Sequence, residues 1–373
     1  MLYILTFLCC LLIDNISSKK KKSFRYLLVC WVFVFLCFGY MTGTDWRNYE
    51  LIYIGEQEAL RYSIFESGFV LLMSFFRLLT RDFWLFNAFC KICYLWSLVL
   101  FLQCFTEKKW TAVGVAFVFS LLFLLIDCPM RFMMALMFIQ LGIRFIINKK
   151  LLPGIILLTV SAFFHVTAII VIVFLLSYFV FKGICRLPSF VLFIVYIIAL
   201  ILPSIPAIFD SLYSGLSFLS FLERFQNEYN EYEVQTYISI GFWKNAVLGG
   251  LLIFSKKHVL ELKYGEALFY FSFLYFILSG ILSCIPTGFR LDIFNGFFFV
   301  IVLVELYFKP DYLKANKPVY KYVGIAALIV LLTHTVVNDW KYTPYSNSII
   351  YILTEHLPYS YRDTYNYNYH ILK

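Results

Sequence analysis

The residues able to do chemistry in this chain are few, and most of them interrupt apolar sequence. In "DCPMRFMMALMFIQLGIRF" Arg131 follows Pro129 by two positions. Proline suits the first turn of a helix, so Arg131 falls at a helix start. That end of a helix is already positive. A guanidinium there suits an anion such as phosphate, which takes both the planar fork and the free backbone N–H groups. The same position also suits an arginine that snorkels to the headgroup level. Arg290 follows "CIPTGF" and opens the next apolar run beside Asp292. It reads as a turn residue with a local ion pair, or as the second half of a phosphate clamp with Arg131.

Three residues can move a proton. Asp45 stands in "MTGTDWRNYE", Glu66 in "FESGFVLL" and His165 in "LLTVSAFFHVTAIIVIVF". Each has a plain reading: an Asx turn, an acid at a helix start, and an imidazole bonded to a carbonyl. Each also fits a base that activates a hydroxyl. Glu223 and Arg224 form a further charged pair in a polar stretch. No phosphate-binding glycine loop, HExxH, GxSxG or dinucleotide fingerprint is present, and no DxD pair stands ready to hold a metal and a nucleotide sugar. The ten cysteines lie mostly in apolar runs, where thiols act as small hydrophobes. Cys90 and Cys93 lack a second ligand pair, so no metal and no cofactor is expected.

The elements that must position these groups are membrane helices. Of the 373 residues 62% are hydrophobic and 14% charged, with mean hydropathy +0.82. Soluble domains carry about 45–50% apolar and about 25% charged residues. The expected fold is all-α, a polytopic transmembrane bundle of about 11–13 segments, each of roughly 20 residues or somewhat fewer. Residues 1–373 are expected to form a single integral membrane domain, with "MLYILTFLCCLLI" kept as its first helix. Lysines and arginines gather in short loops at 19–25, 149–150, 182–186, 255–263 and 309–321, which the positive-inside bias places in the cytoplasm. The loop 209–237 and the tail 338–373 then fall outside, as do Asp45, Arg131 and Arg290. Segments 151–164 and 166–181 are either one tilted span or two short helices meeting at His165. Between residue 65 and Lys108–Lys109 this scheme needs an odd number of crossings, yet two apolar segments are visible. Segment 66–80 is then re-entrant or interfacial, or the lysine pair breaks the bias. The net charge of +9 suits topology and anionic lipid, not nucleic acid.

Taken in order, "TGTDWRNYELIY", "ESGFVLL", "MRFMMALMFIQLGIRF", "AFFHVTAIIVI", "GFRLDIFN" and "WKYTPYS" resemble the EpsG family of Wzy-type polysaccharide polymerases. One departure is Phe132, where members often carry glutamine. The resemblance implies a glycosyltransferase with a fold like the GT-C membrane enzymes. It would work at the outer face of the bacterial cytoplasmic membrane and join repeat units of O-antigen, capsule or exopolysaccharide, carried on undecaprenyl pyrophosphate. On that reading Arg131 and Arg290 hold the pyrophosphate, and Asp45, Glu66 or His165 serves as base. Trp46, Tyr49, Arg224 and Tyr345 contact sugar. The partners would be the lipid-linked oligosaccharide, membrane lipid, a flippase and a chain-length regulator. A flippase or exporter of lipid-linked oligosaccharide, or a membrane O-acyltransferase, is the alternative.

Overall fold

An apolar run in lipid must satisfy its own N–H and C=O groups, and this chain does so as helix. The computed structural model describes residues 1–16, 21–43, 45–55, 65–202, 240–282, 289–308, 317–342 and 345–349. Among these, one isolated antiparallel bridge, Gly39 to Asn347, is the sole β pairing. The chain is an all-α polytopic membrane protein. Among the described residues four helices are long and apolar enough to cross a membrane, Phe83–Leu102, Lys109–Asp127, Met130–Ile147 and Thr167–Arg186, and shorter apolar helices accompany them. The loop 209–237, with Arg224, lies outside the described residues. Of the tail, 338–342 and 345–349 are described.

The chain divides into two compact units. The first takes Met1–Ile169 and Tyr307–Lys373, the second Ile170–Leu306. In the first unit α1 (Leu2–Ile13) and α2 (Lys22–Cys37) lead to α3 (Trp46–Ile54) and α4 (Ser67–Leu79). Next come α5 (Phe83–Leu102), α6 (Lys109–Asp127), α7 (Met130–Ile147), α8 (Leu151–Ala162) and the start of α9 (Thr167–Phe181). Segment 151–181 is thus two helices with a break at 163–166.

Two ends of this unit can be told apart by their contacts. At one, the Asp14 carboxylate accepts from Thr111 N–H at 2.7 Å and Lys108 Nζ donates to Asn15 at 3.5 Å. At the other, Tyr3 packs on Phe35 and Tyr345, and its hydroxyl donates to the Tyr342 carbonyl. The crossing count follows from this second end. Trp84, at the start of α5, packs 4.5 Å from Tyr40 and 5.4 Å from Trp46. Tyr53 donates to the Thr80 carbonyl at 2.8 Å. Residues 40, 46, 53, 80 and 84 therefore share one end, and α4 does not carry the chain across. Its 13 residues span only about 20 Å. It buries Phe69 and Met73 and exposes Leu71, Phe75, Leu78 and Leu79, as an interfacial helix does. Between residue 65 and Lys108–Lys109, α5 is the helix long and apolar enough to cross a membrane.

Helix α6 changes pitch on its way. Lys109–Ala116 is α-helical, and Phe117–Asp127 is wound as a π-helix. Cys128 then turns left-handed at φ +62, and Pro129 precedes α7. Long π segments are rare and gather at functional sites. After α14 (Lys317–Asn338), residues 341 and 346–348 lie at this place. Tyr40 N–H donates to the Ser346 carbonyl at 3.0 Å, Ser348 N–H to the Phe38 carbonyl at 2.7 Å, and Gly43 N–H to the Lys341 carbonyl at 3.1 Å.

In the second unit α10 (Ser189–Ile201), α11 (Ile240–Phe254), α12 (Gly265–Ile281) and α13 (Phe289–Tyr307) pack around aromatic contacts such as Phe271 on Phe298. Tyr196 donates to the Asn245 carbonyl at 2.5 Å, and Asn245 Nδ2 donates to Ser279 at 2.8 Å.

Candidate active site

Glu66 ends the loop before α4. It occupies the capping position without capping the helix, and its carboxylate turns elsewhere. Oε2 accepts from Arg131 Nη1 at 2.9 Å, and Oε1 accepts from Val166 N–H at 3.2 Å. Arg131 Nε donates to the Tyr49 hydroxyl at 3.4 Å, and the guanidinium lies 4.8 Å over the Phe65 ring. The arginine at the head of α7 is thus held by α3, by the start of α4 and, through Glu66, by the α8–α9 break. Gly68 N–H donating to the Phe163 carbonyl at 2.8 Å fixes the same junction. The side chains of Arg131 and Glu66 keep 21% and 22% of their surface exposed. A pair that wet adds little stability, but it leaves the guanidinium within reach of a ligand. Burial pushes the Tyr49 phenol up, and Arg131 pulls it only partly back, so Tyr49 stays a neutral hydroxyl.

His165 sits in the α8–α9 break, its ring edge-on to Phe132 at 5.6 Å. Thr167 N–H donates to Nδ1 at 3.2 Å, and the Thr167 hydroxyl lies 2.7 Å from the same nitrogen. A backbone N–H can only donate, so in the neutral ring Nδ1 is the acceptor and Nε2 carries the proton. His165 therefore presents a donor.

Asp45 precedes α3 and does not cap it, so the Asx-turn reading does not account for it. It lies within electrostatic reach of Tyr49 and of Lys341. Lys341 reaches Asp127 at 3.4 Å and Asp339 at 3.8 Å. Burial pulls the Lys341 ammonium down, but Asp127 and Asp339, with Asp45 behind them, carry it above the ordinary lysine value. Asp127 is the last residue of the π segment. Gly43 brings the Asp45 loop against it: a Cβ there would stand 2.3 Å from the Asp127 Cα.

The structure brings Asp45, Tyr49, Glu66, Arg131 and His165 to one end of the first unit. Sequence reasoning missed Asp127 and Lys341, whose signal was present: each is a lone charge between apolar or aromatic neighbours, in "LLIDCP" and "DWKY". Two aromatic candidates are already covered by protein. Trp46 is 2% exposed and donates to the Gly43 carbonyl at 3.0 Å. Tyr345 stacks on Phe35 at 4.3 Å and donates to the Phe35 carbonyl at 2.6 Å. Arg290 belongs to the second unit. There its neighbour Asp292 is buried, bonded to Ser279 and faced by Lys244. Among the described residues no His, Cys, Asp and Glu cluster could hold a metal.

The family model of the EpsG family matches residues 2–347. No curated protein matches the chain, and no solved structure does.

Proposed function

The chain belongs to the EpsG family of Wzy-type polysaccharide polymerases, and from that premise we propose that it joins repeat units carried on undecaprenyl pyrophosphate. The reaction takes place at the outer face of the bacterial cytoplasmic membrane, with the growing chain as donor and a single lipid-linked unit as acceptor. One observation carries this reading: Arg131, at a helix start and tied by Glu66 and Tyr49, lies at the opposite end of its unit from Lys108 and Asp14. By the positive-inside bias, that end faces outward.

In the proposed step the acceptor hydroxyl oxygen bonds to the donor's anomeric carbon. The bond from that carbon to the pyrophosphate oxygen breaks, and the leaving group keeps the electron pair. Arg131 meets the charge as it develops, where a fixed donor matters most. The hydroxyl proton needs an acceptor. Asp45, a carboxylate within electrostatic reach of Tyr49 and Lys341, is our assignment for that base. The Lys341 carbonyl accepts from Gly43 N–H in the same loop, and the Lys341 ammonium faces the Asp45 charge. Arg224 and Tyr49 remain assigned to sugar. A flippase that supplies units and a regulator that sets chain length are the partners this chemistry calls for.

Purified lipid-linked repeat units added to the reconstituted protein test the reading. Longer glycans support it. Units that only change sides of the membrane, or only gain an acyl mass, would remove it in favour of a flippase or an acyltransferase. In the same assay Asp45→Asn is expected to slow elongation by about 10²–10⁴-fold, the usual worth of a positioned base; a rate within threefold of native would take Asp45 out of that role. Glu66→Gln keeps a bond to Val166 and loses the charge that aims Arg131. Its expected loss is about a hundredfold, as for a catalytic group displaced by an ångström, with the melting temperature nearly unchanged. A fall in stability with full activity would make Glu66 a fold residue only.

A further inference from the structure

Lys91 lies eight residues into α5, about 12 Å along the helix from Phe83, in the apolar stretch "FCKICYLW". It is 1% exposed. Among the described residues it makes no ion pair within 4.0 Å and no hydrogen bond. By contrast, Arg131 is paired with Glu66, and Lys341 with Asp127 and Asp339. Cys128 lies within electrostatic reach of Lys91, Asp45 and Asp127 alike, so the ammonium borders the turn that opens α7 and presents Arg131. The Thr42 hydroxyl, 3% exposed, also has no hydrogen-bond partner. Both polar groups converge beside Gly39, where a Cβ would stand 2.8 Å from Thr42 Oγ1 and 3.8 Å from Lys91 Nζ. The absence of a side chain at Gly39 lets the hydroxyl and the ammonium approach the same stretch of backbone, with the Tyr345 ring edge 3.9 Å from the same point.

An ammonium taken out of water without a partner is costly, and within a membrane span it marks function. Ammonium and hydroxyl side by side are donors for an anionic oxygen. We propose that Lys91 and Thr42 form a second anion subsite for the polyprenyl pyrophosphate, with Lys91 as its uncompensated cation. This rests on the polymerase reading, because it supplies the positive charge that the neutral Arg131–Glu66 pair does not.

The test uses the full chain in neutral-lipid nanodiscs and farnesyl pyrophosphate as probe, with farnesyl monophosphate and phosphatidylglycerol as competitors. Native protein should bind the pyrophosphate and prefer it to both competitors. Lys91→Met should weaken binding at least tenfold, and Thr42→Val severalfold. Lys91→Met should also melt higher than native, because an apolar side chain replaces an unmatched buried charge. No binding by native protein, unchanged binding by Lys91→Met, or equal competition by phosphatidylglycerol would each overturn the subsite. A lower melting temperature for Lys91→Met would do the same, since it would mean the ammonium is already satisfied by protein. If Lys91→Met loses the probe while native protein makes no polymer, the subsite stands and the polymerase reading falls.

Discussion

Arg131→Lys should cut polymer synthesis by about a hundred- to a thousandfold, the cost of removing one donor aimed at developing charge, and leave expression and melting temperature near native. The guanidinium divides its donors: Nη1 goes to Glu66 at 2.9 Å, Nε to Tyr49 at 3.4 Å, and the plane rests over Phe65. That division fixes its orientation, while the side chain keeps 21% of its surface exposed. A lysine keeps the charge but is a point donor on a flexible stem. It would satisfy Glu66 and then have no fixed geometry for an oxygen on phosphorus. Little stability is at stake, because the pair is about one-fifth exposed and wet pairs contribute at most about 1 kcal/mol. Glycan ladders of normal length from this variant would end the phosphate role of Arg131. Failure to accumulate in the membrane would instead show that the arginine holds the fold.

The bundle was legible in the sequence because its physics is local. Twenty apolar residues in a row admit one backbone solution in lipid, and loop lysines orient it. What could not be read is which charges meet. Glu66 and Arg131 are 65 positions apart, and Glu66 and Val166 are 100 apart. No periodicity links them. Motif order marks them as candidates, and the fold adds their contacts: Glu66 bonds to Arg131 through one oxygen and to Val166 N–H through the other. Segment 66–80 carries enough apolar residues to pass for a span, and only the contacts of Trp84 and Thr80 return it to its starting level. Tyr345 is a further case: an aromatic near the membrane surface suggests a sugar platform, and long-range contacts stack its ring on Phe35 and bond its hydroxyl to the Phe35 carbonyl. Lys91 was overlooked because a single lysine in an apolar helix resembles a snorkelling side chain, and only its burial without a partner sets it apart.

Gly43→Ala should lower the melting temperature by about 5–10 °C, for a destabilisation of roughly 2–4 kcal/mol, and abolish most polymer synthesis. Two costs combine. The residue has φ +79, a region where an added Cβ costs roughly 1–2 kcal/mol. That Cβ would also stand 2.3 Å from the Asp127 Cα and 2.6 Å from the Ile126 carbonyl oxygen. Both are backbone atoms at the end of the π segment, so no side chain can rotate aside. The loop would have to lift, and the bonds from Gly43 N–H to Lys341 and from Trp46 to Gly43 would lengthen with it. Asp45, two positions on, would leave its place between Tyr49 and Lys341. Gly55 provides the control. Its φ is +98, but a Cβ there meets only the far end of Arg77, at 3.4 Å, so Gly55→Ala should cost about 1 kcal/mol from backbone strain alone and leave elongation intact. If the two variants melt together and polymerise equally, the close seat of the Asp45 loop on Asp127 is not what holds the site. If Gly43→Ala alone loses activity, at temperatures well below its own melting point, the contact positions Asp45 for chemistry beyond what it does for the fold.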